Sequence, residues 1–197
     1  MATIPQPRPQ LQMLWPEALL SAPPRVKLPS GYRLRVLDPA VDIPGYLRVM
    51  HLAGFTQFSE ENVVFWLTKV LPDAFFVITY EPEELIVATA IASHNPTPLH
   101  PYGGELGWVA GDPAHAGRGL GRAVCGAVVA RFLSAGYRRI YLLTDDWRLP
   151  ALKVYLQLGF VPFLFELGIA ERWQAVCEKL AWPFAPEAWP RTQFVGL

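Results

Sequence analysis

Residues Val109–Arg122 read V-A-G-D-P-A-H-A-G-R-G-L-G-R. An apolar strand ends at a turn, and three alternate glycines, Gly117, Gly119 and Gly121, then open a helix. Without Cβ atoms, these glycines let consecutive backbone N–H groups converge on one point. The helix start adds four unpaired N–H groups and the positive end of its macrodipole, so the loop suits an anion such as a phosphate or diphosphate.

Working outward, the helix is expected from about Gly119 to Ser134, with Leu120, Val124, Val128 and Phe132 as its apolar stripe and Gly136 as a left-handed cap. Residues 140–144 form a short apolar run, read as a buried strand, and a helix bearing Ala151, Val154, Tyr155 and Leu158 follows, with Pro150 in its first turn and Gly159 at its end. Phe160 to Leu167 reads as another strand. On the N-terminal side, Tyr32, Leu34 and Val36 alternate with Arg33 and Arg35 as a half-buried strand. Two amphipathic helices are predicted over residues 43–52 and 60–71, the second capped by Ser59. Residues 75–80 and 85–92 read as a hairpin, and a strand over Glu105 to Val109 leads into the quoted loop. The order defines a mixed α/β domain in which the strand after the loop runs parallel to the one before it.

Composition bounds what this domain can be. The chain has 197 residues, 52% of them hydrophobic, enough for one well-buried core. Lys+Arg 17 against Asp+Glu 17 gives net charge +0, far from the basic footprint of a nucleic-acid binder. Cys125 and Cys177 sit in no metal-binding pattern, so no metal is expected, and both read as buried thiols of a reducing compartment. No stretch is long and apolar enough for a bilayer, and the start M-A-T-I-P-Q-P-R-P-Q has prolines where a signal peptide needs its apolar region; a cytoplasmic location is the expectation. Residues 1–30, broken by seven prolines, read as an extended arm with a short helix over Trp15 to Leu20. After the domain at 31–167, residues 168–197 read as a helix with Trp173, Val176, Cys177 and Leu180 on one face. A tail follows that packs across a partner subunit, in a homodimer, or over the active site.

A dinucleotide-binding fold is the rival for the loop, but G-x-G-x-x-G started at Gly117 or Gly119 needs glycine where Arg122 or Val124 stands. No P-loop motif is present. The plain alternative is that the glycines only make a tight turn and a close helix contact.

The motif order resembles the GNAT family of N-acetyltransferases. The family pattern [RQ]-x-x-G-x-[GA] matches Ala116, Gly117, Arg118, Gly119, Leu120 and Gly121, with Ala116 departing from Arg or Gln. A second pattern, N-x-x-A-x-x-x-Y-x-x-x-G-F, is met by Ala151, Tyr155, Gly159 and Phe160, with Arg148 in place of Asn. The stretches G-E-L-G-W-V-A-G-D-P and G-R-G-L-G-R-A look most like its mycothiol-synthase-like branch. The resemblance implies a GNAT fold with a parallel strand pair splayed at the cofactor site. It implies acetyl-CoA as co-substrate, its diphosphate held by the amides of Gly117 to Arg122. It also implies that main-chain groups of Val109, Ala110 and Gly111 pair with the pantetheine and the thioester carbonyl.

Arg118, Arg122 and His115 would add local positive charge. Glu105, eleven positions before Ala116, stands where several relatives place a general base; the alternative is a surface glutamate. The chemistry needs one, since an amine of pKa near 10.4 is neutral in only about one molecule in 2500 at pH 7. Tyr155 matches the usual acid that protonates the departing thiolate, or else packs the core. Arg148 either reaches the cofactor or faces water. Asp145 and Asp146 lack further ligands at metal spacing and are expected to cap the Pro150 helix. The acceptor, a small-molecule or peptide amine, is expected near Phe55, Phe58, Glu60 and Glu61. The implied function is an acyl-CoA-dependent N-acyltransferase, most simply an acetyltransferase; the alternative is a non-catalytic acyl-CoA-binding sensor or interaction module.

Overall fold

A computed structural model describes residues 8–192. Pro5 and Pro7 of the expected arm, and residues 193–197 of the tail, lie outside them. The strands are β1 (Leu11–Leu14), β2 (Tyr32–Val36), β3 (Val70–Tyr80), β4 (Leu85–His94), β5 (Gly104–Gly111), β6 (Ile140–Thr144) and β7 (Val161–Pro162). The helices are α1 (Ile43–Leu52), α2 (Glu60–Leu67), α3 (Leu120–Ser134), α4 (Leu149–Leu158) and α5 (Ile169–Leu180). The strands join in one sheet, ordered β2-β3-β4-β5-β6-β1-β7. All pairs are antiparallel except β5 with β6, the parallel pair expected across the glycine loop.

Helices cover both faces of the sheet, so its strands lose the simple alternation of half-buried ribbons. In β4 every residue from Ile86 to Ser93 is buried. Beneath one face, Tyr46, Val49 and Met50 of α1 and Val63 of α2 meet Phe75, Val77 and Ile91. On the other, the α3 stripe of Leu120, Val124, Val128 and Phe132 packs with Leu142, Leu152, Phe160 and Trp173. Gly136 takes the left-handed conformation after α3, at φ +81°.

Three expectations need correction. The N-terminal stretch is not an arm outside the domain: β1 lies between β6 and β7, with Leu11 and Met13 fully buried. Of the expected helix over Trp15 to Leu20, one short turn forms at Glu17–Leu19. Secondly, α2 ends at Leu67, and Val70 and Leu71 open β3. The capping box of Ser59 with Asn62 starts α2 as its sequence suggests, but Pro72 disfavours a helical conformation at Leu71. Thirdly, the run from Phe160 to Leu167 pairs as a strand only at Val161 and Pro162, with one isolated bridge from Leu164 to Arg191. Pro162 has no N–H to extend a ladder.

The described part of the C-terminal segment packs on the domain itself. Trp173 of α5 is fully buried and meets the Trp189 ring edge-on at 6.1 Å. Because β1 is core rather than appendage, Met13→Ala is expected to cost about 2–5 kcal/mol of stability by cavity formation. Denaturant titration checks this; an unchanged midpoint would mean that β1 is dispensable.

Candidate active site

The β5–β6 pair is short. Gly104 pairs with Ile140 and Glu105 with Tyr141, and beyond those residues the strands part. The resulting wedge has Leu106–Val109 on one wall and Leu143 and Thr144 on the other, and it holds a cavity of about 150 Å³. Thr144 is buried, and its Oγ1 has no hydrogen-bond partner among the described residues. A buried hydroxyl without a partner is costly.

A bulge bends β5 at the same level. Thr89 pairs with Ala110 and Ile91 with Gly107, so Trp108 and Val109 together face the single residue Ala90. Trp108 adopts φ +50°, a left-handed conformation that a bulky side chain rarely takes, and such strain gathers at functional sites. Its indole lies edge-on to Phe55, Phe58 and Trp66, at 5.5, 4.5 and 5.5 Å between centroids. Phe55 and Phe58 thus stand beside the wedge, whereas Glu60 and Glu61 are exposed on the first turn of α2.

Glu105 is not a surface glutamate. It is 9% exposed and lines the wedge cavity together with Tyr155. Its Oε2 accepts a hydrogen bond from Asn95 Nδ2 at 2.5 Å, and Tyr141 Oη lies 3.3 Å away while donating to the Asn95 carbonyl at 2.5 Å. Burial pushes the Glu105 carboxyl above the ordinary carboxylate range, against the pull of the Asn95 and Tyr141 hydrogen bonds and the charge of Lys69. Tyr155 is 5% exposed, and burial raises its phenol far above the usual value, so it stays protonated.

Arg148 faces neither open water nor a helix cap partner. Its guanidinium stacks 4.2 Å from the Phe55 ring centre and 4.7 Å from that of Trp147, and its Nε lies 3.5 Å from Asp145. Asp145 and Asp146 do not cap α4, whose N-cap is Arg148. Asp145 also accepts from Gln10 at 3.1 Å, and Asp146 pairs with Arg172. Both carboxylates precede the N-cap by at least two residues, out of register with the first free amides. No group of three or more potential metal ligands occurs among the described residues.

A second crevice, of about 720 Å³, runs from the end of β5 past the glycine loop to α4. Val109, Ala110, Gly111, Ala116, Gly117, Gly119, Leu120, Gly121 and Arg122 all line it, with Arg148 and Tyr155. Arg118 does not; its Nη1 donates to the Ala114 carbonyl at 2.8 Å. Gly117 and Gly119 both have φ +77°, and a Cβ on either would meet nothing within 4 Å, leaving an open cradle of backbone. Gly121 lies where α3 meets α4, and a Cβ there would make an ordinary contact with Val154 at 3.7 Å. His115 shares a 2.8 Å hydrogen bond with Tyr32 Oη, which ties the loop to β2.

Sequence reasoning left out the brace beneath the loop. Asp112 accepts from the Ala114 amide at 2.9 Å and from Arg48 Nη1 at 2.8 Å, while Arg48 Nη2 donates to the Ile86 carbonyl. Burial would raise the Asp112 carboxyl, but the Arg48 and Ala114 hydrogen bonds and the Arg48 charge hold it below the usual range. The loop is therefore braced from below although Ala116 carries no bonding side chain. Asn95, Tyr141, Trp66 and Thr144 were also missed; only Trp108, inside the strand beside the loop, had a visible signal.

The split parallel strand pair and the glycine cradle at a helix start match what the GNAT resemblance implies. The acetyltransferase (GNAT) family model matches residues 47–160, and the chain belongs to that family. Curated relatives named mycothiol acetyltransferase include those of Thermomonospora curvata, 29% identical over 148 residues, and Amycolatopsis mediterranei, 31% identical over 160. These alignments cover 73% and 74% of this chain and 49% of each relative, so the chain spans about half their length. Among solved structures, a GCN5-related N-acetyltransferase from Sphaerobacter thermophilus shares the fold, with TM-score 0.59 and 20% identity. That match covers 79% of this chain and 49% of the other.

Proposed function

We propose that the protein is an acyl-CoA-dependent N-acyltransferase that moves an acetyl group from acetyl-CoA to a primary amine by direct attack in a ternary complex. One observation carries this reading: Val109, Arg148 and Tyr155 line both the glycine-loop crevice and the wedge cavity, so the two spaces meet at the end of β5. The diphosphate would rest on the cradle from Gly117 to Arg122, and the pantetheine arm would enter the wedge beside Val109, Ala110 and Gly111. The acceptor would approach past Phe55, Trp66 and Trp108. These aromatic rings favour a partly apolar amine.

The residues then have distinct tasks. Glu105 accepts the amine proton, directly or through water, as nitrogen bonds to the carbonyl carbon. Main-chain amides at the end of β5 stabilise the charge that develops on the carbonyl oxygen. As the C–S bond breaks, Tyr155 gives its hydroxyl proton to sulfur, and solvent restores both groups.

Turnover is tested by free-thiol release from acetyl-CoA with a panel of amines. Thermal stabilisation by acetyl-CoA without thiol release from any amine would support the sensor reading instead. Gly119→Val forces a branched side chain into a left-handed conformation at the cradle, and it is expected to weaken acetyl-CoA binding by roughly tenfold or more. Calorimetry on folded protein checks this, and an unchanged affinity would move the diphosphate elsewhere.

A further inference from the structure

The N-terminal segment builds a second, cationic space against the glycine loop. It has a volume of about 600 Å³ and is lined by Trp15, Pro24, Arg25, Lys27, Gly119 and Arg122, among others. Gly119 and Arg122 also belong to the crevice read above as the coenzyme site, so the two spaces adjoin around the first turn of α3. The segment that carries Arg25 and Lys27 has no regular secondary structure, yet it is laid against the helix. A Cβ added at Gly126 would sit 3.5 Å from Pro24 and 3.9 Å from Val26, ordinary contact distances that place the segment directly against α3.

Charge here is one-sided. Arg25, Lys27 and Arg122 are exposed and have neither an ion pair nor a hydrogen bond among the described residues, and no carboxylate lines the space. Three cations around a concave apolar floor, in a chain of net charge +0, need a reason. A phosphomonoester supplies one, because it brings nearly two negative charges and three strong acceptor oxygens. Both N-terminal cations precede the family match at residues 47–160.

We infer that Arg25 and Lys27, together with Arg122, bind the phosphomonoester on the nucleotide end of the coenzyme and so make the enzyme select 3′-phosphorylated coenzyme A over its dephosphorylated form. The assignment rests on the acyl-CoA reading above. With a diphosphate on the Gly117–Arg122 cradle, a nucleoside lying in the adjoining space would bring its remaining phosphate to the cations of the N-terminal segment. Trp15 and Pro24 give the nucleoside an apolar wall.

Calorimetry with coenzyme A and 3′-dephospho-coenzyme A separates the two ideas, since the compounds differ by that phosphate alone. Wild-type protein is expected to bind coenzyme A about tenfold more tightly, a preference that shrinks in high salt because the cations are exposed. The double variant Arg25→Ala/Lys27→Ala is expected to bind both compounds within about threefold of each other while keeping the wild-type affinity for the dephospho form. Thermal unfolding of both proteins without ligand confirms that the variant is folded. Equal affinities in the wild type, or a preference that survives in the double variant, overturn the assignment and leave the acyl-CoA reading standing. Failure of both compounds to bind wild-type protein overturns that reading and the assignment with it.

Discussion

Glu105→Gln is expected to lower kcat/KM for the amine by about 10²–10³-fold while leaving acetyl-CoA binding within about twofold. The substitution keeps the shape of the side chain, and the amide oxygen can still accept from Asn95. What it removes is the ability to take a proton. An amine of pKa near 10 is almost wholly protonated at neutral pH, so without a positioned base only the rare neutral form can attack. If Glu105 merely fills space, the conservative amide should keep nearly full activity.

The pH profile gives an independent readout. Burial raises the Glu105 carboxyl, so the basic form fills at a higher pH than for an ordinary glutamate. Wild-type kcat/KM should therefore have an acid limb above about pH 4.3, and Glu105→Gln should lose that limb. Stability runs in the opposite sense. A raised carboxyl favours folding in its protonated form, so its contribution is present at low pH and lost as pH rises through the folded-state value. The Gln variant should accordingly hold its stability better than wild type as pH rises.

Why the sequence left Glu105 open between base and surface residue is visible in its partners. Asn95 lies ten positions before it, next to Pro96, and Tyr141 lies 36 positions after it on β6. Burial made by residues so far apart carries no local periodicity. The α3 stripe, by contrast, was legible, because helical spacing alone places Leu120, Val124, Val128 and Phe132 on one side. Strand β1 was hidden for three reasons. It has four residues, it sits between Pro9 and Pro16, and its partner Thr144 is 133 positions from Leu11. Its pattern L-Q-M-L also lacks alternation, since Leu11, Met13 and Leu14 are all buried and Gln12 is held by His100 at 2.7 Å. The glycine loop was the most legible element, yet spacing could not divide its labour. Gly117 and Gly119 have left-handed backbones, while Gly121 sits in the first turn of α3 beside Val154.

Tyr155→Phe is expected to reduce kcat by about 10²-fold with little change in KM for acetyl-CoA, because the hydroxyl is called on only as sulfur departs. The lower end of the range for acid catalysis is expected, since a thiolate of pKa near 8.5 leaves with less help than an alkoxide would need. The variant is structurally mild. No hydrogen bond to the Tyr155 hydroxyl is made by any described side chain, and the ring keeps its contact with Phe160 at 6.4 Å. Thermal unfolding should thus shift by no more than a surface substitution would, about 0.5 kcal/mol. Burial holds the phenol protonated well past its usual range, so an alkaline limb in the wild-type profile cannot come from Tyr155 losing its proton. Steady-state rates across pH 7–10 test both points together. A Phe variant with wild-type kcat would assign proton delivery to solvent and leave Tyr155 as a wall where the two cavities meet.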